Sequence, residues 1–600
     1  KKEICFIEYF DFNYCTFVAL LRTLFNQFIN GQKFNTVYYI DGSNKALVVL
    51  SIIFNKLKIK VEKLNFDFHE IKDSKGMLLF MKINRLDLLK INNEIFNLPF
   101  FKNFIRQNAV SVDLKTFLKK KIIEKDTFGN EVKRALFLVH LGLWQSKIIN
   151  IKRVIIFLKP RVWKNEIIEY GKKHNVKIIV QMPFLIFYQK FFQFLKRYII
   201  IMSQLFSFSK VVRFFNNSIK SLINDSLSKI SFESTTNVNN CLTPCVAVPY
   251  YGNLNLNLPI LHSELFFLHE SNIPSKNILL MFSLPNDPFD HVKEVELSSY
   301  NIKAISLNKD STVVNSIPVV PYSINLSDIN SSIKNLLSHS TSIKHLWLKE
   351  QIFIYKKSCS YWFNIFRDFN VKIHFNWFRH DANHIAISGA LNELGVINSI
   401  YQRSFSDYLS PFLSTSTDVS FNFSNDVDDD RRIGSNISYH IAVGYMGDYR
   451  FHLLKKPAQS LKNKILKNGA KHIVSYFDEN SVDDYRWNPG HESARSDYEF
   501  LLQKVINNSD FGLILKPKVS KTLRNRLGPI NQYLKVAEST GRCIILEGGT
   551  LKNSYPPAIA ALASDIAITG HIYGGTAGLE SALSGTKILI LDQASWRLSK

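Results

Sequence analysis

The chain has 600 residues, with 75 Lys and Arg against 50 Asp and Glu and 46% apolar side chains. That length exceeds what one core usually holds, so two or three domains are expected, and the apolar share supports globular folding and excludes a disordered chain. The charge is uneven: residues 1–240 hold 39 Lys and Arg against 18 Asp and Glu, and residues 241–600 hold 36 against 32.

A basic front part is a candidate for contact with an anionic partner, such as a lipid surface, a phosphorylated carrier or an acidic glycan. No interleaved aromatic–basic motif points to nucleic acid. Of the six cysteines only Cys241 and Cys245 are close, and CLTPC lacks the second pair a zinc site needs. Scattered cysteines fit a reducing compartment. The chain opens on KKEICFIEYF and closes on WRLSK, and reads as part of a longer protein.

In chain order, KEICFIEYF reads as a strand, TFVALLRTLFNQFI as a helix, TVYYID as a strand, ALVVLSIIFNKL as a helix and KIKVEKL as a strand. RVIIFL, WKNEIIEYGKKH and VKIIVQMP continue the alternation, which implies a parallel sheet with helices on both faces. The aromatic, basic stretch Pro183–Phe215 is interrupted by Lys190, Lys196, Arg197, Lys210 and Arg213. It is too charged to span a membrane and is read either as a core helix pair or as a surface-lying helix. Residues 216–243 read as a Ser- and Asn-rich linker.

A second α/β unit is expected over 244–436. NILLMFSLP, KAISLN, IPVVPYSI, VKIHFNWF and VINSIYQRS are its strands. DVDDDRR, Asp426–Arg432, is read as a solvated loop. A third unit is expected over 437–600, with HIVSYFDEN, FGLILKPKV, RCIILEG, DIAITG and TKILILD as strands, each of the first four followed by a helix.

The turn GHIYGGTAG joins the strand DIAITG to the helix LESALSG. Ligands of parallel sheets bind beyond the carboxyl ends of strands. Gly574 and Gly575 let backbone N–H groups approach a ligand, Thr576 offers a cap and a hydroxyl, and a helix start favours phosphate. His571 is a nearby donor, and Glu580 is placed to accept from ribose hydroxyls. Lys516 and Lys518 of LKPK put two cations at the same sheet edge.

This strand–GxxGGTAG–x–E–x–ALSG–strand pattern resembles the nucleotide-sugar-binding half of GT-B glycosyltransferases, especially bacterial enzymes of capsule and lipopolysaccharide assembly. CDP-glycerol phosphotransferases and UDP-sugar 2-epimerases share that half. The resemblance covers about 440–592 and extends to 245–410 as the acceptor half. It implies an α/β fold with two Rossmann-like domains in GT-B arrangement, preceded by an additional basic α/β domain over 1–215. It also implies a metal-independent transfer from a nucleotide-sugar substrate, with no cofactor, to a glycan or lipid-linked acceptor. Lys518 stands where several relatives carry a histidine, so Lys518 or His571 would supply that charge.

For the acceptor side, NWFRHDANH offers Arg379, His380 and Asp381 after a strand, and YQRSFSDY offers Gln402 and Arg403. Asp478 and Glu479 end the strand HIVSYF. A proton acceptor is expected among His380, Asp381, Asp478 and Glu479. Arg379, Gln402 and Arg403 are expected to bind acceptor. A cytoplasmic enzyme with peripheral contact to the inner membrane fits this reading. A polyol-phosphate transferase, a sugar-nucleotide epimerase and a non-catalytic glycan-binding protein are the alternatives.

Overall fold

The computed structural model describes residues 3–10, 34–56, 58–66, 71–72, 78–108, 110–125, 131–180, 243–257, 260–320, 342–404, 410–426, 428–481, 491–547, 555–570 and 575–591. The helix expected in TFVALLRTLFNQFI, the stretch Pro183–Phe215, the linker, His571 and Gly574 lie outside these residues.

Three parallel sheets organise the chain. The first contains β1 (Glu3–Phe10), β2 (Phe34–Gly42), β3 (Lys60–Lys63), β4 (Arg153–Leu158) and β5 (Val176–Val180), in the order β3-β2-β1-β4-β5. The second contains β6 (Cys245–Pro249), β7 (Ile278–Phe282), β8 (Lys303–Ser306), β9 (Val371–Asn376), β10 (Ile397–Tyr401), β11 (Ser416–Asn422) and β12 (Asn436–Ala442). Its order is β12-β11-β10-β9-β6-β7-β8. The third contains β13 (His472–Phe477), β14 (Phe511–Lys516), β15 (Cys543–Ile545), β16 (Ile566–Thr569) and β17 (Lys587–Ile590), ordered β15-β14-β13-β16-β17.

Each sheet grows the same way. The first strand of each unit is central, the next two go to one side and the fourth to the other. The winding therefore reverses between β1 and β4, between β6 and β9, and between β13 and β16. Such reversal points open a crevice at the carboxyl ends of the strands. The strands form where the sequence runs apolar without alternation, as in ILLMF of β7, because both faces are covered by helices. All five of those residues are buried.

Three expectations need correction. β12 pairs with β11 through Thr417 and Ile437 and through Phe421 and Ile441, so it belongs to the middle sheet. The third unit therefore begins after Ala442. DVDDDRR is not all loop: Asp428–Ile433 is a short helix, with aspartates at its start and Arg431 and Arg432 in its last turn. That charge order suits the helix dipole. IPVVPYSI adds only a bridge, Ser306 to Val319, among its described residues.

The first unit is also joined to the second by a continuous core. Leu136, Val139 and Trp163 cluster with Trp347, Leu348 and Ile352 of the Ile343–Asp368 helix and with Ile385 of the Asn383–Leu394 helix. The Val112–Ile123 helix adds polar locks across the same joint. Asp113 accepts from Ser416 Oγ (2.5 Å) and Asn392 Nδ2 (2.8 Å). Glu124 accepts from the Ala382 N–H (2.9 Å), one of the amides that a helix start leaves unpaired. Lys120 is fully buried, and its ammonium donates to the carbonyls of Arg379 (2.5 Å) and Ser414 (2.9 Å).

No helix among the described residues is long and apolar enough to cross a membrane.

Candidate active site at the middle and third strand ends

In the third sheet, β13 delivers Asp478 and Glu479 to the carboxyl edge. Asp478 is buried and saturated. One oxygen accepts from the N–H groups of Asn480 (3.0 Å) and Lys518 (3.1 Å). The other accepts from Tyr498 Oη (2.6 Å) and from buried Arg526 (3.0 Å). This carboxylate fixes the strand ends, and its lone pairs are spent. It does not fit the proton-accepting role expected of it. Glu479 pairs with Lys518 Nζ at 2.8 Å, so those two expected site residues neutralise each other at the rim.

Lys516 differs. It is buried at the end of β14, and its ammonium donates to the Pro517 carbonyl at 3.2 Å. Among the described residues its other two donors have no hydrogen-bond partner. Burial pushes its pKa down, and the carboxylates of Asp478, Glu580 and Glu479 push it back up. β16 ends on the far side of β13 at Thr569 and Gly570, and a Cβ added to Gly570 would overlap the Tyr476 hydroxyl. The Gly575–Leu583 helix begins nearby and carries Gly575 and Thr576 in its first turn.

Glu580 points inward. It is 2% exposed, accepts from the Ala558 N–H (2.9 Å) and from Arg450 (3.3 Å), and is bonded by the Tyr445 hydroxyl. These three contacts replace the ribose contact expected of it. Tyr445 and Arg450 lie on the segment that leaves β12 and enters the Phe451–Lys467 helix. Glu580 therefore ties the Gly575–Leu583 helix to the chain crossing between the two sheets.

In the middle sheet, the loop after β6 contributes Tyr251, Asn253, His262 and Glu264. Glu264 is 1% exposed. It accepts from Asn253 Nδ2 (3.0 Å), Trp377 Nε1 (3.0 Å) and Tyr401 Oη (3.4 Å), which gathers the ends of β6, β9 and β10. Burial raises its pKa, against the pull of Arg403 and these donors. The Arg403 guanidinium lies 4.2 Å from the Trp377 ring centroid. Tyr251 packs on Trp377 (5.0 Å) and stacks on Phe378 (5.3 Å).

His262 completes the group. Its Nε2 is buried with no hydrogen-bond partner among the described residues. Burial pushes the imidazole pKa well below the usual value, and the cations of Arg403 and Arg450 push it further. Arg450 is thus shared: it pairs with Glu580 of the third unit and sets its field on His262 of the middle one.

The other expected residues fall elsewhere. Arg379 pairs with Asp430 at 3.0 Å, and its carbonyl is held by Lys120. Gln402 braces β11, its Oε1 accepting from the Phe423 N–H (2.9 Å) and its Nε2 donating to Ser404 O (3.3 Å). Both side chains are engaged within the protein. Asp381 caps the Asn383–Leu394 helix through the His384 N–H (3.2 Å). Its pKa is lowered because the bonds from His384 and the charge of Lys120 outweigh burial. His380 rests edge-on against Phe378, and desolvation together with Lys120 and Arg379 brings it to about 4. His380 and Asp381 thus lie beside Lys120, toward the joint with the first unit. Of the expected acceptor-side residues, Arg403 is the one gathered into the middle strand ends.

His262, Glu264, Trp377, Tyr401 and Arg450 were not singled out from the sequence. The usable signal was position: HSE follows the first strand of its unit, where the winding reverses.

No family model and no curated protein matches the chain. Among solved structures, it is similar to a protein of Listeria monocytogenes assigned as a UDP-N-acetylglucosamine 2-epimerase, at 10% identity and a TM-score of 0.33, over 58% of this chain and 80% of that one. It is also similar to Glycyrrhiza uralensis UGT73P12, complexed with glycyrrhetinic acid 3-O-monoglucuronide, at 9% identity and 0.31, over 58% and 78%. A UGT transferase of Siraitia grosvenorii in complex with UDP shows 8% identity and 0.29, over 58% and 81%. These overlaps are partial, and the strand order of each sheet carries the fold by itself.

Proposed function

We propose that the chain is a glycosyltransferase of GT-B arrangement that binds a nucleotide sugar at the third strand ends and presents an acceptor at the middle ones. The observation that carries this reading is Arg450. One buried guanidinium bonds Glu580 of the Gly575–Leu583 helix, and its charge also reaches the buried imidazole of His262, whose Nε2 has no hydrogen-bond partner among the described residues.

In this reading, the start of the Gly575–Leu583 helix, with Gly574, Thr576 and His571, holds the donor phosphate. Lys516 adds its open donors, and Lys518 guards the rim. No metal or cofactor is required of these residues. His262 is the proton acceptor. In the empty protein burial disfavours its charged form, and Arg403 and Arg450 disfavour it further. An arriving phosphate offsets that field and raises the imidazole pKa, so the base gains strength once the donor is seated. Glu264 holds Trp377 and Tyr401 in place for a sugar ring, and Arg403 stacked on Trp377 suits an acidic group on the acceptor.

The acceptor class we favour is a growing surface glycan or a lipid-linked sugar on the cytoplasmic side of the inner membrane. The basic front part supports that choice. Thermal shift with UDP, CMP, GDP and CDP tests the donor site, since a ligand of the native state raises its melting temperature. One nucleotide should stabilise the chain, and Lys516→Met should remove the effect. His262→Ala should keep it while abolishing turnover of the matching nucleotide sugar. No stabilisation by any of the four would overturn the proposal.

A further inference from the structure

The first unit has its own reversal point between β1 and β4, and it is built like the donor side of the third. At the end of β13, a buried carboxylate, Asp478, holds a buried arginine and the N–H of a lysine at a neighbouring strand end. At the end of β1, Glu8 does the same. It is 1% exposed and binds Arg161 through both oxygens, at 2.7 and 2.8 Å. It also accepts from the Lys159 N–H (2.8 Å), just past β4. Arg134, in the first turn of the Val132–Ile148 helix, adds a contact at 3.1 Å.

Such a group is costly to bury, and a Glu8–Arg161 pair alone would satisfy it. Two further cations are present beyond that need. The Lys159 ammonium makes no hydrogen bond or ion pair among the described residues. It sits 4.3 Å from the centroid of the Tyr9 ring. Arg134 has a side chain 37% exposed, so it reaches solvent. Among the described residues, the carboxylates whose charge reaches Lys159 are Glu8 and Asp41, against the cations of Arg134 and Arg161. Asp41 is partly engaged by the Gly42 N–H (2.8 Å). The cluster therefore carries one positive charge more than its own acids offset, at the place where parallel sheets bind ligands.

We propose that the β1/β4 strand ends form a second anion site, for a single phosphoryl or carboxylate group, with Lys159 as its main contact and Arg134 as the second. Glu8 and Arg161 are the buried frame that holds these two. This site stands apart from the glycosyl-transfer reading and does not rest on it.

Calorimetric titration of the full chain with inorganic phosphate tests it. Two classes of phosphate site are expected. Lys516→Met should remove one, and Lys159→Met should weaken the other at least tenfold, while Lys159→Arg keeps it within about threefold. A parallel arm measures flotation with phosphatidic acid vesicles. Phosphate binding that depends on Lys159 identifies a free small anion. Vesicle binding alone that depends on Lys159 identifies a lipid phosphate. Should Lys159→Met fail to fold, Arg134→Gln at the rim gives the same reading. Phosphate and vesicle binding both unchanged by these substitutions would overturn the site.

Discussion

The middle and third strand ends each centre on a buried carboxylate, and they spend it differently. Asp478 accepts two backbone amides, a tyrosine and an arginine, so it is a charged frame matched by charge. Glu264 accepts from an amide side chain, an indole and a phenol, with its nearest cation stacked on the indole. The first arrangement holds a carboxylate rigidly, with a buried arginine against it. The second holds one whose ionisation is disfavoured by burial. The proposed function assigns the first to a phosphate and the second to a sugar on the strength of that division.

The largest break in this comparison is Asp478→Ala. It leaves Arg526 buried without its partner and Tyr498 without an acceptor, at a cost of about 3–5 kcal/mol. Denaturant unfolding should show it, and Asp478→Asn should recover part of the loss. Glu264→Gln keeps an acceptor for Trp377 and Tyr401, so about 1–3 kcal/mol is expected.

The pH response sharpens the contrast further. Burial lowers His374 to about 4 and His384 to about 3. Their folded pKa values lie below the unfolded value of about 6.5, so the stability they support is present above that pH. It is lost as pH falls toward 4, by up to about 3 kcal/mol for a fully buried histidine. Glu264 has the opposite sign. Its folded pKa is raised, so its contribution is full below about pH 4.3 and is lost as pH rises through the folded value. The wild type minus Glu264→Gln difference in denaturant midpoint should therefore fall with rising pH, while His374→Gln should flatten the acid limb.

A smaller effect is expected at the joint with the first unit. Lys120→Met removes the donor to the Arg379 and Ser414 carbonyls but also a costly buried charge, so about 1–2 kcal/mol is expected. Faster hydrogen exchange at Ala382 and His384 would locate the loss in the loop that Lys120 holds.

The alternation of strands and helices was legible because buried parallel strands are uninterrupted apolar runs, and FGLILK and HIVSYF announce themselves. Which sheet a strand joins was not. Nothing in NISYHIA says that it pairs backward with β11 and not forward with β13. That Lys516 ends a strand and that Gly575 opens a helix was legible because strand ends and glycine turns are local features. Glu580 was found but misjudged, since its inward direction depends on Tyr445 and Arg450, more than 100 positions away. His262 and Glu264 carry no spacing rule at all, and their burial exists only once three strands meet. The joint through Lys120 and Arg379 spans 259 positions and has no sequence trace.

The most direct test follows the charge of His262. Histidine Cε1 resonances of the full chain, with His262 assigned through His262→Gln, can be titrated with and without the nucleotide that stabilises the protein. The account predicts a pKa well below 6.5 in the empty protein and a rise of at least one unit on binding, which Lys516→Met prevents. A His262 titration that the bound nucleotide leaves unmoved would contradict it.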